Sequence, residues 1–381
     1  MDTIIQPTGP IIGSKLFTPV QLGPYTLSHR VVMAPLTRMR TLKRFIPTVL
    51  MAEYYAQRAT PGGFIIAEGT VVHPTGDGYF KAPGIFTNEQ AEAWKKVTEA
   101  VHEEGTRIFL QLYHVGRRSH TSLQPAGAVP VGPSAIPFED VVVSPDGLVP
   151  VTPNRALETG EIHALADAFG KAAQLAMDAG FDGVELHGAN GYLIDQFLQN
   201  GANQRTDEYG GSIENRVRFL LEVVDAMTSV WGGNRVGVRL SPSGTWGGIF
   251  DSNPVALFDY AVEKLNRFGL AYLHIIEPRI LGSYLHEEAI QEPIAAERLR
   301  KIFKGKIIAA GGFDRDSAEA ILQKGNADLV AFGRYFVANP DLPFRFRKGL
   351  PLNAYDRATF YGGNERGYTD YPFADDAAGN A

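Results

Sequence analysis

Eight short runs rich in valine and isoleucine recur along the chain, with amphipathic stretches between them. They span residues 31–34, 64–67, 108–112, 183–186, 236–240, 271–276, 306–309 and 328–332. Each is apolar on both faces, which suits a parallel strand covered by helices rather than a strand with one wet side. Between the runs, Ile162, Leu165, Ala166, Phe169, Ala173, Ala176 and Met177 form a stripe of helical period that stops at Gly180, where a left-handed residue commonly ends a helix. Ile213, Val217, Leu220, Leu221, Val224 and Met227 form a second stripe. This alternation predicts an α/β fold, a (β/α)8 TIM barrel, with a doubly wound parallel sheet as the alternative.

The spacing of the runs is uneven. The last two start about twenty residues apart, close to a minimal strand-helix-strand unit, whereas more than seventy separate the third from the fourth. The excess falls in residues 123–157, where Pro125, Pro130, Pro133, Pro137, Pro145, Pro150 and Pro153 argue for a long loop over the active-site face, a lid or cap. A second insertion, residues 277–297, follows the sixth strand and is expected over the same face. Ahead of the first strand, Val20–Leu22 and Tyr25–Leu27 flank Gly23-Pro24 and predict a hairpin that plugs the opposite end. With no repeats or linker, the 381 residues read as one decorated barrel domain over 1–381, with 1–15 and 375–381 as peripheral tails.

Composition narrows the chemistry. A formal charge of −6 does not supply the basic surface a nucleic-acid partner requires. The absence of cysteine excludes disulfides, thiol nucleophiles, thiolate zinc sites and cysteine-held iron–sulfur clusters. No apolar stretch approaches the ~20 residues needed to cross a bilayer, and residues 1–12 lack the pattern of a secretory leader. The expectation is a cytoplasmic protein with neither a membrane nor a nucleic acid as partner.

Barrel chemistry is carried at the C-terminal ends of the strands. The first leads into Ala34-Pro35-Leu36-Thr37-Arg38, the second into Glu68-Gly69-Thr70, the third into Gln111-Leu112-Tyr113-His114 and the fifth ends at Arg239. The seventh and eighth lead into Gly311-Gly312 and Gly333-Arg334. Glycine loops after these two strands let backbone N–H groups approach a phosphate, and Arg334 adds a charge-assisted donor. The competing reading is that the glycines merely turn the chain; the two loops together favour phosphate.

Beyond the fourth strand come His187, Asn190 and Tyr192. Two donors and a weakly acidic hydroxyl can bind and then protonate a carbonyl compound. A metal site is not expected: there is no His-x-His pair, and His102-Glu103 lacks its second histidine because Thr106 stands there. Nor is there a Gly-x-Ser-x-Gly elbow, a Walker lysine or a Rossmann glycine pattern.

With these residues in place, the sequence resembles the old yellow enzyme family of FMN-dependent ene reductases from about Leu16 to Phe373, its wording closest to 12-oxophytodienoate reductase-like members. The resemblance is carried by Tyr25-Thr26-Leu27-Ser28-His29-Arg30, Thr60-Pro61-Gly62-Gly63-Phe64, His187-Gly188-Ala189-Asn190-Gly191-Tyr192, Arg205-Thr206-Asp207-Glu208-Tyr209-Gly210-Gly211 and Gly367-Tyr368-Thr369-Asp370-Tyr371-Pro372. It implies noncovalent FMN held by Pro35, Thr37, Gly69, Gln111 and Arg239, with the phosphate on Gly311, Gly312, Gly333 and Arg334. It further implies NADPH or NADH as reductant and a small α,β-unsaturated carbonyl compound as substrate. His187 and Asn190 would bind the carbonyl oxygen, Tyr192 would donate the proton, and Tyr79, Tyr113 and Tyr361 would line the substrate pocket. Monomer and homodimer are both compatible. The sequence departs from many relatives at Tyr113, where they have Trp, and at Gly69, where they have Ala; Asn190 stands where some have His. The alternatives are a barrel lyase or hydrolase acting on a phosphorylated substrate, and a flavin-binding module without turnover.

Overall fold

Apolar on both faces, the eight runs pair edge to edge until no edge remains. The computed structural model describes residues 4–281, 284–285 and 294–374. In it β1 (Val31–Met33), β2 (Phe64–Val71), β3 (Arg107–Tyr113), β4 (Gly183–Gly188), β5 (Val236–Leu240), β6 (Tyr272–Ile276), β7 (Lys306–Ala310) and β8 (Leu329–Phe332) form a closed parallel barrel. Closure comes from β8 pairing with β1, Val330 opposite Val31, and from β3 pairing with β4, Phe109 opposite Gly183. This is the predicted barrel, and the doubly wound alternative falls away.

Two strands run further than their apolar stretches suggest, because backbone pairing continues under polar side chains. In β4 His187 is still paired with Arg239, so it lies within the strand rather than beyond it. In β2 pairing resumes at Thr70 after a register shift that begins at Ala67, placing Glu68 and Gly69 in a bulge, a device that re-aims side chains beside active sites.

Alternate side chains fill the interior. At its lower end Phe64, Phe109 and Tyr272 pack together, with Phe64 edge-on to Phe109 at 5.0 Å. Beneath them the antiparallel hairpin Val20–Leu22/Tyr25–Leu27 contributes Val20, Leu22 and Leu27 to the same cluster, as a plug should. Outside the barrel lie α1 (Val49–Gln57), α2 (Asn88–Glu103), α3 (Thr159–Asp178), a short α4 (Leu193–Leu198) and α5 (Ile213–Trp231). The α3 stripe is buried through Ala176, and Gly180 takes φ +82° just past the helix end. On α5, Phe219 and Val223 are buried where Leu221 is only partly so, which turns the buried face slightly from the predicted stripe.

The proline-rich residues 123–157 are more ordered than a bare loop. They hold a hairpin, Val141–Ser144 with Gly147–Pro150, and a parallel pair, Val131–Gly132 with Arg155–Ala156. The hairpin docks by its backbone, Phe80 N–H donating to the Val143 carbonyl at 3.0 Å. Of the insertion after β6, Ile280–Leu281 pairs with Tyr284–Leu285; 282–283 and 286–293 lie outside the described residues, as do 1–3 and 375–381 of the expected tails. Among the described residues no helix is long and apolar enough to cross a membrane.

Two buried arginines bind the C-terminal segment to the barrel. Arg38 donates to the Phe360 and Gly367 carbonyls at 2.9 and 2.8 Å. Arg58 donates to the carbonyls of Phe336, Val337 and Tyr368 at 2.9, 2.7 and 3.0 Å. Between them Tyr54 stacks on Tyr368 at 4.0 Å, and Arg58 lies over the Tyr54 ring. Burial pulls the Arg58 pKa down to about 10, still charged at neutral pH. Charge-assisted bonds of this kind contribute about 1.5–3 kcal/mol each, not additively. Arg58→Met is therefore expected to lower stability by at least about 3 kcal/mol, read as a reduced urea midpoint with unchanged slope. A midpoint equal to wild type would show that the clamp does not hold.

Candidate active site

The rim at the strands' C-terminal ends surrounds a cleft of about 1420 Å³, its mouth included. All fifteen residues expected to act in catalysis, hold FMN or bound the substrate line it, whereas Glu68, Thr70 and His114 at the same strand ends do not.

The β1 side is fixed from below. In the β2 bulge the buried Glu68 accepts from Arg38 N–H at 3.1 Å and from the Tyr55 hydroxyl at 3.2 Å. Burial lifts its pKa to about 6. The bond to Arg38 pins the turn that presents Pro35 and Thr37 to the cleft, and Gly69 beside it leaves room: a Cβ there would stand 3.3 Å from the Tyr113 ring.

The floor is a buried polar group in the upper barrel interior. Glu185, fully buried, accepts from Gln111 Nε2 at 2.7 Å and from His274 Nδ1 at 2.8 Å. Burial, and secondarily Arg239, lower the His274 pKa, so the ring is neutral and donates. Arg239, paired in register with both His187 and His274, has a buried Nε with no partner. Glu185 and His274 escaped the sequence reading. Glu185 shares strand parity with His187, and that alternation was the available signal.

The end of β4 and the turn after it present the three candidate catalytic side chains. His187 is buried, and burial, then Arg239 and His274, hold its pKa well below the ordinary value. Its Nδ1 accepts from Ala189 N–H at 3.3 Å, so the neutral ring carries its proton on Nε2 as a donor. Asn190 takes φ +56°, a left-handed conformation that asparagine tolerates. Gly191 follows at φ +72°, where a Cβ would lie 2.1 Å from the Trp246 carbonyl oxygen. Ser241 accepts from Asn190 N–H at 2.8 Å, and Asp195 from Gly191 N–H at 3.0 Å. Tyr192 packs edge-on to His187 at 4.9 Å and to Tyr113 at 5.5 Å, its hydroxyl 2.7 Å from that of Tyr79. Burial raises its pKa well above 10, which keeps the proton on. The Tyr113 hydroxyl is buried without a partner. Tyr361, on the C-terminal segment, forms an exposed part of the wall.

Opposite lie the glycine loops. Gly311 and Gly312 take φ +113° and +65° in succession, and Gly333 opens the short helix Arg334–Ala338, where a Cβ would meet Leu36 at 3.1 Å. Arg334 Nη1 donates to the Tyr355 hydroxyl at 3.3 Å. These residues fit a flavin mononucleotide. The partnerless Arg239 Nε and the Gln111 amide suit a polar ring edge, and the glycine backbone with Arg334 suits a phosphate. Among the described residues no three His, Cys, Asp or Glu side chains gather to hold a metal ion; His102 instead pairs with Asp182 at 2.8 Å.

The profile of the NADH:flavin oxidoreductase / NADH oxidase family matches residues 15–353. Putative 12-oxophytodienoate reductase 2 of Oryza sativa subsp. japonica is 50% identical over 365 residues, 95% of this chain and 94% of that protein. 12-Oxophytodienoate reductase 2 of Arabidopsis thaliana is 46% identical over 370 residues, 95% of this chain and 96% of that protein. Among solved structures, morphinone reductase superposes with a TM-score of 0.89 at 50% identity, covering 96% of this chain and 98% of its own.

Asp195 makes the turn after β4 sensitive to pH. Burial lifts its pKa from the ordinary 3.8 to about 7, against bonds from Gly191, Gln199 and Ser241 that pull it down. Between those values the folded protein holds a proton that the unfolded chain has released. The stability this group provides is thus complete below about pH 4 and lost as pH rises through about 7. At about 1.4 kcal/mol per unit, the stability of wild type relative to Asp195→Asn should fall by up to about 4 kcal/mol between pH 4 and 8. Denaturation series on both proteins test this, and a pH-independent difference contradicts it.

Proposed function

The chain belongs to the NADH:flavin oxidoreductase / NADH oxidase family, the old yellow enzymes, and from that premise we propose how its own residues reduce an activated alkene. It is an FMN-dependent oxidoreductase drawing on NADPH or NADH. When bound, FMN would supply two-electron hydride chemistry linking a reduced nicotinamide to an α,β-unsaturated carbonyl compound. The family match leaves the lyase or hydrolase alternative without support.

In this reading Pro35, Thr37, Gly69 and Gln111 hold the flavin ring. Arg239 brings a fixed positive charge that favours electrons on it. Gly311, Gly312, Gly333 and Arg334 hold the phosphate. His187, through Nε2–H, and the Asn190 amide donate to the substrate carbonyl oxygen, where negative charge develops as the β-carbon is reduced. Tyr192 gives its proton to the α-carbon, completing the saturation. Tyr79, Tyr113 and Tyr361 bound the pocket. The observation that carries the reading is that the end of β4 and the turn after it bring two neutral donors and one protonated acid to the cleft that the glycine loops also line. We further read the chain as one domain over 1–381 with tails at 1–15 and 375–381, acting in the cytoplasm on small molecules as a monomer or homodimer.

The purified protein should be yellow, bleach on anaerobic addition of NADPH and recover its bands with 2-cyclohexenone. A colourless protein that FMN cannot reconstitute would sink the reading. Tyr192→Phe should slow recovery by ~10²- to 10⁴-fold and leave reduction by NADPH unchanged; equal loss in both halves contradicts its role as acid. His187→Ala or Asn190→Ala should each cost ~10²- to 10³-fold in the enone half-reaction.

A further inference from the structure

Tyr192 does not stand alone. Its hydroxyl meets that of Tyr79 at 2.7 Å, and Tyr79 in turn receives Arg118 Nη1 at 2.8 Å. Arg118 is 5% exposed, and its Nε donates to Asp140 Oδ2 at 2.5 Å. Asp140 comes from the proline-rich segment, just ahead of the hairpin that docks beside Tyr79. The guanidinium carbon lies 5.9 Å from the Tyr192 ring centroid and 5.0 Å from that of Trp246. The neighbouring Arg117 points elsewhere, to the carbonyls of Gly247 and Gly248.

Donor arithmetic gives this chain of contacts a direction. A guanidinium has only donors, so the Tyr79 oxygen must accept from it. An oxygen so polarised becomes the better donor of the tyrosine pair, and its proton turns toward the Tyr192 oxygen. The Tyr192 proton is then left to face the cleft. Tyr79, Tyr113 and His187 are uncharged groups around Tyr192, and Arg118 and Arg239 are the cations. Of these two, only Arg118 is linked by hydrogen bonds to the Tyr192 hydroxyl.

We propose that Arg118 is a positioning residue for the proton-transfer step, setting the direction of the Tyr79–Tyr192 hydrogen bond and stabilising the negative charge left on Tyr192 when its proton moves to carbon. The inference rests on the ene-reductase reading and deepens it. As the Tyr192 O–H bond breaks and the α-carbon C–H bond forms, the phenolate accepts from Tyr79, whose own oxygen is held by the cation. Water returns the proton afterwards through Tyr79, which is half-buried.

The test uses FMN-loaded wild type, Arg118→Met and Arg118→Lys, with the two half-reactions followed separately by flavin absorbance. Removing a neighbouring cation should slow proton delivery by about 10-fold. In Arg118→Met, recovery with 2-cyclohexenone is therefore slower and shows a larger solvent deuterium isotope effect. Reduction by NADPH, and reoxidation by ferricyanide, which puts no proton on carbon, stay within about twofold of wild type. Arg118→Lys restores most of the rate. In the apoprotein, ultraviolet difference titration against Tyr192→Phe should place Tyr192 ionisation at higher pH in Arg118→Met than in wild type. If Arg118→Met does not fold, Arg118→Met/Asp140→Asn removes both charges and takes the same measurements. A variant matching wild type in enone rate and isotope effect, or slowed equally with ferricyanide, overturns the role of Arg118 alone. Wild type that NADPH reduces but no enone reoxidises overturns the ene-reductase reading and this inference with it.

Discussion

An eight-stranded barrel has an interior just wide enough for side chains, and what fills that space determines what the rim can do. Here the filling changes character along the axis. The lower end is closed by aromatic rings and the N-terminal hairpin, which stabilise by burial. The upper end holds Gln111, Glu185, Arg239 and His274, polar groups that are stable in so confined a space only because most of their hydrogen bonds are made. One carboxylate, Glu185, serves three neighbours at once: two as hydrogen-bond acceptor and Arg239 as counter-charge.

That arrangement holds the floor of the cleft in place. Gln111 cannot rotate without losing its bond to Glu185, and Glu185 cannot move without releasing His274. Unmet hydrogen-bonding demand remains at the Arg239 Nε and at the His274 Nε2. Burial has a second effect at the rim. His187 is held neutral and Tyr192 protonated by the same removal of water, which are the protonation states their proposed roles require.

Much of this was legible in the sequence because barrel strands must be apolar on both faces and glycine loops must turn where they do. The placement of Thr37, Gln111, His187, Arg239 and Gly311 around one cleft follows from strand order alone. What escaped has physical reasons. Glu185 looks like an interruption in an apolar strand until the interior parity is known. Arg118 meets Tyr79 and Asp140 across 39 and 22 residues of chain, and no local pattern records such a meeting. The hairpin within residues 123–157 is masked in the sequence by the prolines around it, although Ser144-Pro145-Asp146-Gly147 is itself a turn signature.

The clamp formed by Arg38 and Arg58 has an evolutionary side. Both arginines grip the C-terminal segment through main-chain carbonyls at Phe360, Gly367 and Tyr368, and carbonyls are common to every residue type. Between those grips lies the stretch that carries Tyr361 into the cleft wall. These two arginine grips are therefore indifferent to which side chain stands at 361. Drift there can reshape the pocket while these main-chain grips persist, so that this part of the wall behaves as an exchangeable cassette on a fixed mount.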